Sequence, residues 1–339
     1  MTAEVYPAAG LVRRAAAAFA ASVPEHPADD GYFGPGSVTW RLNGDLSAPL
    51  AGLRSLLVQA LHPLAMAGVD QHSDWRADPA GRLASTAAYL ATITYGDRAA
   101  ALRAAGRVRK IHERVRGTDP VTGRPYAASD PGLLLWVHAA LVDSVLAAAE
   151  LFGTPPSAAD KDRYVAEMTA AAELIGVPPG RAPSTTAELG AYLTAVRPEL
   201  MLTPAAAEST AYLLELPALD QDLAGIWEQF ADAAIASLPR WAAEMYGFTE
   251  GTGEEGTGEE GTGEEGTGEA APEAPAGARE ARGPREGRSP EGRRRMREVD
   301  RGEVRQVLGV FDALYLGEPG VLEARQRIEL RMRARAGGA

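Results

Sequence analysis

The sequence predicts an all-α protein, and three observations carry that prediction. Ala-rich stretches with apolar residues three and four apart recur from residue 8 to residue 248. Clusters of Pro, Gly and Asp punctuate them, as in GPGS at 34–37, ADPAG at 77–81, GTDPVTGRPY at 117–126, TPPS at 154–157 and GVPPGRAP at 176–183. Period-2 alternation of β-branched residues is nearly absent.

Taken in order, the first helix is expected over Leu11–Val23, where Leu11, Ala15, Phe19 and Val23 share one face. Two arginines and a short Ala-rich run do not make a signal peptide, which needs a more apolar centre. Further helices are expected at Leu50–Met66, Gly81–Tyr95, Ala99–Arg116, Leu133–Leu151, Ala158–Ile175, Thr186–Val196 and Leu219–Met245. Ser129 or Asp130 ahead of Pro131, and Ser157 ahead of Asp160, have the chemistry of N-caps. Residues 302–333 read as helix again and are expected to return to the main body. The organisation expected is a helical domain over 8–248, a disordered linker over 249–300 and C-terminal helices over 301–335.

The linker dominates the charge balance. The chain has 339 residues, 34 Lys+Arg, 46 Asp+Glu and a net charge of −12. Residues 250–269 repeat the unit GTGEE and hold eight glutamates and no base; −12 without those eight charges leaves −4. Gly, Thr and mutually repelling glutamates bury too little apolar surface to offset ordering entropy. Residues 270–297 shift to Pro, Ala, Gly and Arg and end near Arg293, Arg294 and Arg295. The acidic balance argues against nucleic acid as a partner. No run of about 18 apolar residues is read, so no membrane span is expected, and the chain reads as cytoplasmic.

With no cysteine, thiol catalysis, disulfides, iron–sulfur clusters and Cys-ligated zinc are excluded. Phosphate loops, HExxH and GxSxG are absent. The residues left for demanding chemistry are His26, His62, His72, His112 and His138. Their spacing does not suit a compact metal cluster, but a haem iron needs only one protein ligand, and here that ligand cannot be thiolate. His112 shares its helix with Val108, Ile111 and Val115; His138 lies on the most apolar helix and is an alternative ligand or a core residue. His62 before Pro63 and His72 before Ser73 are either distal-pocket acid/base groups or, on the favoured reading, helix-end residues, and His26 reads as an exposed loop residue. Asp143 on the same apolar helix has the chemistry to hold a buried histidine or arginine. Met66, Trp75, Tyr89, Trp136 and Met168 are possible pocket lining, although such side chains at helical spacing more often form core.

The order of motifs resembles the helical haem-oxygenase family of the latex-clearing rubber oxygenases and MpaB-type oxygenases. The matching segments are FGPGSVTWR (33–41), LLVQALHPLAMAGVDQHS (56–73), DPAGRLASTAAYLATITYG (78–96), RVRKIHERVRG (107–117), PYAASDPGLLLWVHAALVDS (125–144), DRYVAEMTAAAELIGVPP (162–179), and LPRW with MYG near 248. The resemblance implies haem b enclosed by helices and oxygenase or oxidase chemistry with O2. It implies a small, apolar or natural-product-like substrate, with an electron donor as a possible partner. It places Arg82 and Thr86 at the family's Arg-x3-Thr pair and His112 at its proximal histidine. Spaced by four, Arg82 and Thr86 share a helix face. Arg82 suits a haem propionate or, equally, a structural ion pair, and Thr86 offers a small hydroxyl to oxygen or substrate. Where the rubber enzymes have a distal lysine, this sequence has Ser85, which speaks against a lysine-capped iron and against polymer cleavage. A haem carrier or sensor without turnover, and a helical interaction protein, are the alternative readings.

Overall fold

The computed structural model describes residues 8–23, 30–215, 221–250, 295–296, 300–316 and 320–336. The acidic repeat beyond Glu250, most of the Pro/Arg-rich linker and His26 lie outside them. The helices are α1 (Ala8–Ser22), α2 (Val38–Asn43), α3 (Ala48–Ala60), α4 (Pro63–His72), α5 (Pro79–Tyr95), α6 (Arg98–His112), α7 (Pro131–Leu151), α8 (Ala158–Ile175), α9 (Thr186–Val196), α10 (Pro204–Glu215), α11 (Gln221–Ala236), α12 (Arg240–Tyr246), α13 (Arg301–Leu316) and α14 (Val321–Ala336). The expected all-α class is what the structure shows.

Proline divides two stretches expected to be continuous. The Leu50–Met66 segment breaks at His62-Pro63, where α3 and α4 meet at a bend of 106°. His62 takes the extended conformation that a following proline imposes (φ −88°, ψ 112°). The Leu219–Met245 stretch breaks at Pro239. Two elements carry no strong period. One is α10, entered through Thr203, whose hydroxyl accepts from the Ala206 N–H at 3.1 Å. The other is a hairpin of β1 (Arg116–Thr118) and β2 (Pro125–Ala127), paired antiparallel inside the segment read as a loop. Asp119 closes its turn by accepting from the Thr122 N–H at 2.8 Å.

Helix α7 is the axis of the body. Its N-cap is Asp130, with Pro131 in the first turn, and its side chain accepts from the Gly132 N–H at 2.7 Å. On length and composition it could cross a bilayer, contrary to the reading that no such run exists; 72% of its most apolar window is buried inside the protein. Apolar residues all round a helix are what burial on every side requires. Trp136, Ala139, Ala140, Val142 and Ala149 enter the main core with Leu50, Leu57 and Val58 of α3 and Tyr164 and Met168 of α8.

One charged pair sits within this packing. Arg54, 2% exposed, donates to Ser237 O at 2.9 Å and Ser144 Oγ at 2.7 Å, and its Nη1 lies 2.8 Å from Asp143 Oδ2. Asp143 thus holds an arginine, one of the two partners its setting suggests. Val304, Val307 and Leu308 of α13 and Ala324 and Ile328 of α14 join the same core, so the C-terminal helices pack on the body. Thr249–Glu250 pairs in parallel with Arg295–Met296, which brings together the two ends of the segment between them.

Candidate functional site

The candidate residues Arg82, Thr86 and His112 stand on the α5–α6 hairpin. Asp78 caps α5 by accepting from the Gly81 N–H at 2.9 Å, and Arg14 of α1 donates to the same carboxylate at 2.9 Å. Gly96 and Asp97 form the corner, and Asp97 caps α6 by accepting from the Ala100 N–H at 2.6 Å. Two packed helices joined by so short a loop run antiparallel. Arg82 and His112 each lie about 20 Å from that corner at 1.5 Å per residue, so both stand at the open end of the hairpin. The positive charge of Arg109 on α6 acts on the Tyr89 phenol of α5, opposing the larger rise that burial causes.

The polar groups on these facing helices are short of partners. Arg82 is exposed, yet neighbouring protein removes enough hydration to push its guanidinium pKa down, opposed only by the charge of Asp74. It makes no hydrogen bond or ion pair among the described residues. Thr86, one turn on, is exposed and donates its hydroxyl to Arg82 O at 3.0 Å. Seven residues after Arg82, the Tyr89 hydroxyl is buried without a partner, and burial raises its pKa. Across the hairpin, His112 is half-buried, its Nδ1 is buried and unpartnered, and desolvation lowers its pKa. A lowered histidine pKa means a neutral imidazole near pH 7, the form that ligates a metal.

The open end is anchored to the rest of the body. The Arg109 guanidinium donates to Leu174 O at the end of α8. Gly176 (φ 113°) caps α8 in the left-handed conformation that favours glycine, and a Cβ there would meet Leu134 of α7 at 3.4 Å. Tyr126 of β2 donates to Gln71 Oε1 of α4 at 2.9 Å, and Val115 packs with Leu64, Ala67, Tyr126 and Leu133. The unforeseen hairpin therefore braces the chain just beyond His112.

His138 is 6% exposed, and burial pushes its imidazole down to about 4. It lies one turn from Leu134, which packs with Ala172 and Val177 of the α8 end. No hydrogen bond, ion pair or ring contact among the described residues links it to Arg82, Thr86 or His112. His62, 4% exposed and at the N-terminus of α4, has an unpartnered Nδ1, and its ring centroid is 5.9 Å from that of Trp136. His72 ends α4 and faces Tyr126 edge-on at 6.1 Å. Trp136, Met66 and Met168 are buried core residues; the Trp136 indole donates to Gln59 O at 3.1 Å, on the α3 side of α7. Ser85 is exposed and donates to Gly81 O at 2.8 Å. Trp75 stacks edge-on with Tyr212 at 5.9 Å.

Comparison with known families gives the class of the chain. The model of the catalytic domain described as ER-bound oxygenase mpaB/B'/Rubber oxygenase matches residues 40–259. The chain belongs to this family. No curated protein and no solved structure matches it. The oxygenase domain takes in the α5–α6 hairpin, α7 and α8, and its class of reaction requires O2 and a small-molecule substrate.

Sequence reasoning had Tyr89 only as lining and gave Arg109 no role. The signal for Tyr89 was its place seven residues after Arg82 on the same face. Nothing in the sequence announces that Arg109 ties α6 to α8. Among the described residues no group of three or more His, Asp or Glu could hold a metal ion by itself.

Proposed function

We propose that the chain is a haem b-dependent oxygenase acting on a small, apolar or natural-product-like substrate, with His112 as the iron ligand. The observation that carries this reading is the unpartnered, desolvated His112 imidazole at the same end of the α5–α6 hairpin as the unpartnered Arg82 guanidinium. The buried His112 Nδ1 without a partner costs about 1–3 kcal/mol; a haem would give that imidazole a partner in its iron and give the exposed Arg82 one in a propionate.

The residues present fit that group. His112 is held neutral by burial, so it offers a lone pair at pH 7 without first losing a proton. Arg82 would pair with a propionate through parallel N–H bonds and recover the interaction that desolvation denies it. A bound haem supplies redox-active iron for oxygen activation. Thr86 offers a hydroxyl whose present acceptor is only the Arg82 carbonyl, a bond that can be exchanged for one to substrate or oxygen. Tyr89 stays protonated across the physiological range, so its phenol keeps an O–H to donate.

His138 supports a second ligand assignment, since burial has already driven it to about 4 and it makes no hydrogen bond. Substrate-dependent O2 consumption by the haem-loaded protein tests the oxygenase reading. Uptake that needs both haem and an added alkene or terpenoid supports it. A coloured protein that consumes no O2 across such a panel would make it a carrier or sensor.

A further inference from the structure

Helix α6 has a second face, turned to solvent. Arg103, Arg107 and Lys110 stand on it at i, i+4 and i+7, and Arg114 continues the row in the turn after the helix. At 100° per residue the four project within about 60° of one another. All are exposed, and none makes a hydrogen bond or ion pair among the described residues. Lys110 in the last turn complements the helix dipole, but Arg103 and Arg107 lie too far from that end to be explained so. Leu102 and Ile111, 48% and 60% exposed, flank the row on opposite sides and do not form a continuous apolar face. The stripe therefore suits a polyanion better than a lipid surface.

The same chain contains that polyanion. Residues 250–269 hold eight glutamates and no base, in a repeat of five residues. Five extended residues cover about 17 Å, and Arg103 to Arg114 covers about 16 Å along the helix. One repeat unit therefore carries a glutamate pair to each end of the stripe. Tethering to α12 through Phe248 holds the repeat at an effective concentration on the order of millimolar, so weak individual ion pairs suffice. We propose that the basic stripe of α6 is the docking face for the chain's own acidic repeat. The proposal does not depend on haem.

The test uses the full-length chain and a labelled synthetic peptide of residues 250–269, read by fluorescence anisotropy in low salt. A full-length variant with all eight repeat glutamates changed to glutamine should bind the peptide at least tenfold more tightly than wild type, because the competing segment is gone. Adding Arg107→Glu and Lys110→Glu to that variant should abolish binding with unchanged circular dichroism. Binding should weaken at least tenfold between 20 and 200 mM salt, as screening of exposed charges requires. Equal peptide affinity for wild type and the glutamine variant would overturn the proposal, as would binding that survives the charge reversal. Capture by phosphatidylglycerol vesicles without peptide binding would overturn it in favour of a membrane surface.

Discussion

Arg54 and Arg82 both lie on core-forming helices, and their surroundings treat them oppositely. Arg54 is completely enclosed, with Ser237 O, Ser144 Oγ and Asp143 Oδ2 all within 2.9 Å. Arg82 is exposed and partly desolvated, it makes no hydrogen bond or ion pair among the described residues, and only the more distant charge of Asp74 opposes its loss of hydration. The same division extends to their neighbours. Around α3 and α7 the tyrosine and tryptophan polar atoms reach carbonyls, as Tyr246 does with Leu57 O at 2.6 Å and Trp136 with Gln59 O at 3.1 Å. On α5 and α6, Tyr89 and His112 keep buried polar atoms without partners. Folding alone favours satisfied groups. The cluster around Arg54 is therefore arranged for stability, whereas the α5–α6 open end leaves polar groups unsatisfied, as the proposed haem site requires. His62 beside Trp136, with its unpartnered Nδ1, and His138 on α7, which makes no hydrogen bond among the described residues, are the exceptions on the other side.

Breaking the two arginines tests that division, and Arg54 gives the largest effect. Arg54→Met should destabilise the protein by about 3 kcal/mol, because it strands Asp143 and the Ser237 carbonyl; urea unfolding followed by circular dichroism measures this. Arg82→Met should leave the urea midpoint unchanged within about 0.5 kcal/mol, while haem affinity falls at least tenfold in a spectral titration. Equal destabilisation by both would erase the distinction.

Next in size is a pH effect. His138 has a folded pKa of about 4 against an unfolded value of 6.5. Below 6.5 the unfolded chain takes up a proton that the folded chain refuses. Stability is therefore complete above pH 6.5 and falls as pH drops toward 4, by on the order of 3 kcal/mol. His62 and His112, also lowered by burial, add losses of the same sign. Urea midpoints at pH 7.5 and 4.5 for wild type and His138→Gln check this, with the variant expected to lose less on acidification.

The smallest stability effect belongs to Thr86. Thr86→Val removes a hydroxyl bonded only to its own helix, so stability should change by less than about 0.5 kcal/mol. Turnover should fall at least tenfold, and Thr86→Ser should retain most of it. A Thr86→Val variant with full turnover would remove Thr86 from the site.

Much of this arrangement was legible in the sequence. The length and continuous apolarity of α7, the caps at Asp130 and Ser157, and the one-turn spacing of Arg82 and Thr86 are local properties that residue chemistry encodes directly. The 106° bend at Pro63 was encoded too, in the His62-Pro63 pair, but the apolar pattern runs unbroken across it and hides it. The β1–β2 hairpin was illegible because its strands have three residues each and its stability comes from Asp119 and from Tyr126 reaching α4. The pairing of Arg54 with Asp143 spans most of a hundred residues, and tertiary packing alone selects it. An unpartnered buried atom, such as Tyr89 Oη or His112 Nδ1, is a property of the surroundings and leaves no trace in composition or period.

A haem titration of the purified protein tests the central claim most directly. Wild type should develop a Soret band that saturates at one haem per chain, His138→Ala should keep it, and His112→Ala should abolish or shift it while circular dichroism stays unchanged. An unaltered Soret band in His112→Ala would contradict the account, and its loss in His138→Ala alone would move the ligand to α7.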